Sequence, residues 1–220
     1  FSARNSLIRT GKGRYFLKRY RFGDLLRLQA AHAAKFYFAA AGVPAIKPLK
    51  NVQGASYFLY GEKYYALFPQ VQAKQIGRGR FSPQALESAG AMLAQMHHIG
   101  RGQVLPALRA SGRRLRLVEA EFGPRAQRLL ELLKRQEKPN DFDRLAAEFI
   151  GLKLRLAADY REGDDPIHRL PFDHMVHGDY HDGNMFFSEG DRINWICDWE
   201  KVTVAPRAVE LIRSMEFICF

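Results

Sequence analysis

The sequence predicts an α+β protein of two lobes, in which a small antiparallel-sheet N-lobe precedes a mainly helical C-lobe. Three observations lead to this prediction. Strand hairpins occupy the first 69 residues, long helical patterns dominate after residue 81, and a polar, glycine-containing stretch separates the two regions. We therefore assign residues 1–69 to the N-lobe, 70–80 to a hinge or linker, and 81–220 to the C-lobe.

The N-lobe pattern begins with two strands joined by Gly11-Lys12-Gly13, a run of turn-forming residues that is typical of a hairpin. A helix follows, for which Asp24 is the expected N-cap and Gly42 the residue that ends it. A second hairpin is predicted to turn at Gly61-Glu62. The predicted elements are strands at 6–9 and 15–20, a helix at 24–41, and strands at 57–60 and 64–68.

The C-lobe pattern opens with a helix, because Ser82 and Pro83 occupy the favoured cap and first-turn positions. Two longer helical patterns follow, and the second of them has one apolar face, formed by Leu145, Phe149, Leu152 and Leu156. The pattern then changes to short strands around a polar loop. The predicted elements are helices at 82–100, 117–135 and 141–161, and strands at 175–176, 185–187 and 193–197.

Composition excludes several classes of protein. With 220 residues, 47% of them apolar, the chain can bury a core. The longest apolar run, residues 36–46, is too short to span a bilayer, and no signal-peptide pattern is present, so we expect no transmembrane segment and a cytoplasmic location. Only Cys197 and Cys219 occur, which excludes a disulfide scaffold. The chain starts at Phe1 and stops within the apolar run 217–220, so we expect it to be truncated at both ends.

The positive charge is concentrated near the start of the chain. The formal net charge is +11, and the first 60 residues contain 11 Lys and Arg but a single acid, Asp24. Such a region attracts anionic ligands, although a solvated basic face without a partner is an equal alternative. No regular basic-aromatic motif supports a specific nucleic-acid partner. The oligomeric state is not predicted.

The most informative motif runs from His177 to Asn184 as His-Gly-Asp, four residues, then Asn, and Asp198 ends the strand pattern that follows. A single Asp or Asn in a loop is usually a cap or turn residue. Here the spacing places Asp179 and Asn184 at the two ends of one loop, and the returning strand brings Asp198 beside them. A carboxylate for the attacking hydroxyl, with an amide and a second carboxylate for Mg²⁺, is the set that phosphoryl transfer from ATP requires. The motif therefore predicts a kinase centre.

A zinc hydrolase is the main alternative interpretation of the same residues. His177, Asp179, His181 and Asp182 form a dense group of possible zinc ligands. Such a site needs further ligands from elsewhere in the fold. No histidine follows His181, and the earlier ones lack ligand-pair spacing, so ligand supply disfavours this alternative.

Lys18 is the predicted cation for the ATP phosphates. Strand alternation places it on the same face as Phe16 and Tyr20, ahead of a helix, as expected for the strand lysine of a kinase. Kinases normally pair this lysine with a glutamate of the following helix, but no glutamate precedes Glu62. We therefore expect Lys18 to be held differently or only weakly.

These motifs resemble the aminoglycoside phosphotransferase and choline kinase-like family, whose fold is similar to that of protein kinases. The resemblance covers nearly the whole chain and implies ATP and Mg²⁺ as cofactors, with the hydroxyl of a small molecule as phosphate acceptor. It is carried by Asn5–Arg9, Tyr15–Lys18, Gly42–Pro44, Tyr65–Pro69, Leu93–His97, His177–Asn184 and Asp198–Glu200. The implied roles are catalytic base for Asp179, Mg²⁺ ligands for Asn184 and Asp198, phosphate binding for Lys18, adenine binding for Phe68, Gln70 and Val71, and loop support for His177.

The acceptor stays open at this point. Protein kinases carry a lysine two residues after the catalytic Asp and Phe-Gly after the metal-binding Asp, whereas this chain has His181 and Trp199-Glu200. This difference favours a small-molecule kinase. The N-lobe also resembles the bacterial stress-response Ser/Thr kinase, so a protein acceptor and a degenerate nucleotide-binding protein remain alternatives. Acids that a cationic acceptor would need are available without diagnostic spacing, at Asp164, Asp165, Glu200 and Glu210.

Overall fold

A computed structural model describes residues 4–21, 23–112, 122–159 and 169–219 of the chain. The fold divides into two compact units. The first consists of Phe1–Arg114 together with Phe172–Phe220, and the second is Leu115–Pro171. This division separates a pair of helices from the rest, so the boundary at residues 70–80 between the lobes stays a prediction.

The first unit contains a four-stranded antiparallel sheet in the order β1-β2-β4-β3. Both predicted hairpins are present. In the second one, Tyr60 pairs with Lys63, and the two residues between them, Gly61 and Glu62, have positive φ of 51° and 60°. Positive φ at both central positions is the geometry of the tight turn that suits the twist of a hairpin. The strands are β1 (Arg4–Thr10), β2 (Gly13–Arg19), β3 (Phe58–Tyr60) and β4 (Lys63–Pro69).

Helix α1 (Leu25–Ala40) follows the first hairpin as predicted. The Asp24 carboxylate accepts a hydrogen bond from the Arg27 amide at 3.1 Å, which satisfies one of the free donors at the start of the helix. Gly42, with φ of 90°, lies two residues beyond the end of the helix. One face of α1 is buried, and this face is where the helix contributes to the site described below.

Three further helices belong to the first unit. Helix α2 begins at the predicted cap, where the Ser82 hydroxyl accepts from the Ala85 amide at 3.1 Å. At its other end a side chain on Gly100 would overlap the backbone carbonyl of Met175, so the glycine permits a close approach. The short helix α3 was not predicted. These helices are α2 (Pro83–Gly100), α3 (Pro106–Ala110) and α6 (Arg207–Ile218).

Two short strand pairs hold the predicted catalytic loop. Strand β5 precedes the loop and pairs with β8, a strand that the sequence did not predict, while β6 and β7 form the predicted hairpin after it. The loop 177–184 therefore lies between β5 and β6, each of which is paired with a different strand. Asp198 follows the end of β7. The strands are β5 (His174–Val176), β6 (Met185–Phe187), β7 (Ile193–Ile196) and β8 (Thr203–Ala205).

Two apolar clusters form the core of the first unit. The larger one includes Phe38 and the fully buried Trp199, whose rings lie 4.8 Å apart. The smaller one packs β2, β4 and α1 together through Tyr20, Leu28 and Phe68. Because Trp199 is the residue after Asp198, burial of its ring fixes the turn that carries this carboxylate.

The second unit contains a helix pair, α4 (Phe122–Lys134) and α5 (Asp141–Asp159). The starting residues of the predicted helix 117–135 and the last two of 141–161 lie outside the described residues. The predicted apolar face of α5 is present, but its side chains remain between 42% and 61% exposed. None of the helices in the described ranges is long and apolar enough to cross a membrane.

Candidate active site

A cleft of about 410 Å³ in the first unit contains most of the predicted site. Strands β2 and β4, helix α1 and the segments on either side of the β6–β7 hairpin line it. Asp179 and His177 lie in the adjoining loop and are not part of the lining. The predicted site residues that line the cleft are Lys18, Phe68, Gln70, Val71, Asn184 and Asp198.

Lys18 is held by two carboxylates that come from the opposite wall. It is the second-last residue of β2, where its neighbours across the sheet are Asn5 and Ala66. Its Nζ is 3.2 Å from Asp198 Oδ1 and also forms an ion pair with Glu200. Burial alone would lower the pKa of Lys18, but the charges of Glu200 and Asp198 outweigh it, and the pKa is raised. Glu200 thus takes the place of the helix glutamate that the sequence lacks.

Lys35 is a second lysine of the cleft, which sequence reasoning missed. It lies on α1, is only 1% exposed and lines the cleft, with Nζ 4.7 Å from the centre of the Phe68 ring. Among the residues that the structure describes, it has no hydrogen-bond or ion-pair partner. Burial, with the neighbouring charge of Lys18, lowers the pKa of Lys35 to about 8. A lysine within the otherwise apolar run 33–38 is the signal that could have revealed it.

Asp179 is buried and bound by two cations. Its Oδ1 accepts from Lys201 Nζ at 2.8 Å and from Arg213 Nη2 at 2.7 Å. His181 Nε2 lies 3.7 Å from the other oxygen, Oδ2. Burial would raise the pKa of Asp179, but the hydrogen bonds from His181, Lys201 and Arg213 hold it well below its usual range. The carboxylate is therefore ionised at neutral pH, as a proton acceptor must be.

The loop around Asp179 is fixed by contacts to its backbone. His177 is fully buried, donates from Nε2 to the Cys197 carbonyl at 2.9 Å, and accepts at Nδ1 from the Asp179 amide at 3.2 Å. With both nitrogens engaged, His177 contacts only protein groups. Gly178 has φ of 80°, and a side chain there would overlap the carbonyl of Lys201. Residue 178 therefore has to be glycine.

Glu210, a buried acid on α6, also supports this loop. One of its oxygens accepts from the Gly178 amide at 2.5 Å, and the other lies 2.9 Å from His97 Nε2 on helix α2. It is 3% exposed, so it is enclosed by the protein. The sequence offered no diagnostic spacing for this role, because the three elements involved are far apart in the chain.

Asn184 and Asp198 present oxygen atoms to the same cleft. The Asn184 amide donates from Nδ2 to the Asp179 carbonyl at 2.9 Å, which leaves Oδ1 with only the weak donor Sγ of Cys197 at 3.8 Å. Asp198 has a left-handed backbone, with φ of 56° and ψ of 59°. Burial would raise the pKa of Asp198, but the charge of Lys18 lowers it. One amide oxygen and one carboxylate suit Mg²⁺, which binds few protein oxygens and takes the rest from phosphates and water.

The predicted adenine-binding segment forms another wall of the cleft. The Phe68 side chain lies in the smaller apolar cluster, next to Lys35, and Val71 packs against the same cluster. The Gln70 amide already donates to the Arg14 carbonyl at 3.0 Å. Its side-chain Oε1 is buried and has no hydrogen-bond partner within the described part of the chain. The backbone amide of Gln70 is therefore already engaged within the protein.

The sequence model of the phosphotransferase enzyme family matches the whole chain, residues 1–220. The chain therefore belongs to this family. No protein among the curated ones matches the sequence significantly.

Solved structures share the fold at low sequence identity. Amicoumacin kinase in complex with AMP-PNP, Ca²⁺ and amicoumacin is 14% identical with a TM-score of 0.65, and the match covers 98% of this chain and 61% of that one. An aminoglycoside phosphotransferase from Alicyclobacillus acidocaldarius is 18% identical with a TM-score of 0.60, and the match covers 96% of this chain and 65% of that one. Spectinomycin phosphotransferase in complex with ADP and spectinomycin is 19% identical with a TM-score of 0.61, and the match covers 96% of this chain and 64% of that one. The chain thus spans less than two thirds of the length of these proteins, and the predicted two-lobe α+β fold is confirmed.

Proposed function

We propose that this chain is the catalytic part of an ATP- and Mg²⁺-dependent kinase that phosphorylates a hydroxyl of a small molecule. One observation carries the proposal: Lys18, Asn184 and Asp198 line a single cleft, and Asp179 lies in the loop that ends at Asn184. Membership in the phosphotransferase family supports the reaction class. The neighbours with bound AMP-PNP or ADP support a nucleotide as the phosphate donor.

The proposed reaction is a direct transfer between ATP and the acceptor. The acceptor oxygen forms a bond to the γ-phosphorus while the bond from that phosphorus to the bridging oxygen of the β-phosphate breaks, and ADP leaves with the electron pair. Asp179 orients the acceptor hydroxyl and takes its proton, which then passes to solvent. The low pKa of Asp179 makes it a weak base, so orientation of the hydroxyl is its larger contribution.

The remaining residues bind and position the donor. Lys18 would leave its ion pairs in part to bind the phosphates, and Phe68 and Val71 would contact the adenine. Asn184 and Asp198 would hold Mg²⁺ through one oxygen each. When bound, Mg²⁺ neutralises charge on the phosphate oxygens during transfer.

The test replaces Asp179 with Asn in the full-length protein. Transfer from γ-labelled ATP is measured with amino acids, choline, sugars, aminoglycosides and a generic protein as acceptors. We expect D179N to lose about 10²–10⁴-fold in transfer rate. Binding of a fluorescent ADP analogue should change little, because Asp179 is not part of the cleft lining.

Asp191→Asn is the matched control. Asp191 lies in the β6–β7 turn, pairs with Lys74 and Ser82 away from the cleft, and has a positive φ that Asn accepts. D191N should retain transfer. Normal transfer by D179N would refute the proposed role of Asp179. Nucleotide binding without transfer to any acceptor would instead identify a degenerate nucleotide-binding protein, and transfer to the protein substrate alone would identify a protein kinase.

A further inference from the structure

The surroundings of Asp179 bear on the charge of the acceptor, given the kinase reaction proposed above. An acceptor hydroxyl has to reach Asp179, so any charged group of the acceptor lies close to the side chains that touch this residue. Lys201 and Arg213 both bind Asp179 Oδ1, and their side chains are 45% and 40% exposed. Two solvent-accessible cations therefore accompany the base.

Further basic groups extend this region around the ring of Phe217. The guanidinium of Arg213 lies 5.3 Å from the ring centre, that of Arg78 lies 5.2 Å from it, and the ring of His181 is 5.2 Å away. We call Arg78, His181, Lys201 and Arg213 the basic cluster.

The nearby acids do not balance the basic cluster. Asp179 contacts three of its members, and Asp182 lies 3.3 Å from His181 Nδ1. Arg78 donates to the backbone carbonyl of Glu216 at 2.9 Å. Among the described residues, the carboxylates in contact with the cluster are thus those of Asp179 and Asp182, against three permanent cations and one histidine.

Of the acids that sequence reasoning offered for a cationic acceptor, the two that the structure describes do not restore the balance. Glu200 pairs with Lys18 at the cleft, and Glu210 is enclosed between the catalytic loop and His97. Asp164 and Asp165 lie outside the described residues. A cationic acceptor at Asp179 would therefore meet like charge.

We propose that the acceptor is a hydroxyl compound with an anionic group, a carboxylate or a phosphate, which binds Lys201 and Arg213. Guanidinium and ammonium groups are the side chains that bind such anions most strongly. On binding, the anion shares the two cations with Asp179, while the acceptor hydroxyl donates to the Asp179 carboxylate. The bonds formed and broken are those of the transfer described above.

The test uses sets of acceptors that have similar size and different charge. One set is glycerate, glycerol and 2-amino-1,3-propanediol, and a second is galacturonate, galactose and galactosamine. Initial rates with full-length protein and labelled ATP give kcat and KM for each compound. We expect kcat/KM for the anionic member of the preferred set to exceed that of the cationic member at least about tenfold.

Lys201→Met tests the residue. Because Lys201 also binds Asp179, K201M can lower transfer to every acceptor; we therefore expect the ratio of kcat/KM between the anionic and the neutral acceptor to fall about fivefold. K201R should restore much of the affinity. Lys63→Met, at the exposed start of β4, is the matched control and should leave the preference unchanged.

Two outcomes overturn the inference while the kinase proposal stands. One is better use of the cationic members, and the other is a charge preference that K201M does not alter. Absence of transfer to every acceptor would instead remove the kinase proposal, and this inference with it.

Lys35 carries a second, independent inference. A buried ammonium without a partner is costly in a protein, because water no longer solvates its charge. Lys35 is 1% exposed, lines the cleft, and has no ion-pair partner in the described ranges. The charged groups that act on it are Lys18, Glu200 and Asp198. Since those two carboxylates already pair with Lys18, an anion in the cleft is the partner that Lys35 lacks.

We infer that Lys35 binds the polyphosphate of the nucleotide beside Lys18. The test measures the affinities of adenosine, ADP and ATP for wild-type protein and for K35M, a replacement of similar length that removes the charge. We expect ADP and ATP to bind about tenfold more weakly to K35M, with adenosine unchanged. K35Q provides a second variant, and the melting temperature of each reports its folding.

If Lys35 had only a structural role, K35M would change the affinities for adenosine, ADP and ATP to the same extent. Equal weakening of adenosine and ADP, or no effect on any ligand, would overturn the role of Lys35. If wild-type protein bound none of the three nucleosides and nucleotides, the kinase proposal itself would fall.

Discussion

Glu200 pairs with Lys18 and so replaces the helix glutamate that the sequence lacks. Kinases normally hold the strand lysine with a glutamate from the next helix. Here Glu200, two residues after Asp198, forms this ion pair, and both side chains are largely buried at 13% and 17% exposure. Glu200 and Asp198, the proposed metal ligand, thus come from the same turn of the chain, so the position of Lys18 depends directly on that turn.

Replacement of Glu200 tests this dependence. In E200Q, Lys18 keeps only Asp198 as a charged partner, and we expect the free energy of unfolding to fall by about 1–3 kcal/mol. Transfer should slow about 10–100-fold, because Lys18 then competes for the carboxylate that should face Mg²⁺. Chemical denaturation and the labelled-ATP assay measure the two effects.

A double-mutant cycle isolates the pair. The effect of E200Q on transfer should largely vanish when Lys18 is already Met, whereas independent effects of the two changes would argue against the pairing. Glu189→Gln, in the β6–β7 turn beyond the cleft, serves as the control.

At the scale of elements, α1 is attached to the sheet through a buried polar residue. His32 lies 2.7 Å from the Tyr20 hydroxyl through Nε2 and 2.8 Å from the Ser56 hydroxyl through Nδ1. Burial, with the charges of Lys35 and Lys18 nearby, lowers the pKa of His32 to about 2. The helix that carries Lys35 is therefore docked by a histidine that stays neutral in the folded state.

This histidine makes stability depend on pH. The unfolded chain binds a proton at His32 below its ordinary pKa of 6.5, whereas the folded chain does not, so stability is lost as pH falls from about 7 to 5. His177 acts in the same direction, because burial also lowers its pKa, while His181 acts in the opposite one. We expect a slope of up to about 1.4 kcal/mol per pH unit from His32.

Urea unfolding of wild-type protein and H32Q at pH 7, 6 and 5 measures this slope. The variant should start from a lower stability but lose less of it between pH 7 and 5. Parallel pH profiles for the two proteins would show that His32 is not the group responsible.

The elements also show what the sequence could predict. Helices and hairpins with clear caps or turns, such as α2 after Ser82 and the turn at Gly61, were found close to their observed bounds. The five-residue α3 and the three-residue β8 were missed, because such short elements have no periodicity and β8 exists only through pairing with β5.

The same distinction holds for the site. Asn184 and Asp198 could be placed at one cleft because a loop and one hairpin connect them, and the strand lysine followed from its aromatic neighbours. The contacts of Arg213 and Glu210 arise when α6 returns to the loop, and those of Lys35 arise when α1 packs on the sheet. No local pattern encodes such contacts.

At the scale of the whole molecule, the positive charge is partly directed inward. The first 60 residues supply 11 of the Lys and Arg side chains, and two of these, Lys18 and Lys35, line the cleft. Lys201 and Arg213 add positive charge beside Asp179 from the other end of the chain. Such a field increases the local concentration of anionic ligands and becomes weaker with added salt.

Residue 201 contributes to the site in two ways, through its backbone carbonyl next to Gly178 and through its side chain next to Asp179. The backbone of residue 201 is part of the packing that holds the catalytic loop, so its path is constrained. The side chain of the same residue is 45% exposed and can be exchanged without moving that path. A substitution at position 201 would therefore change the charge beside Asp179 and leave the backbone contact with Gly178 in place.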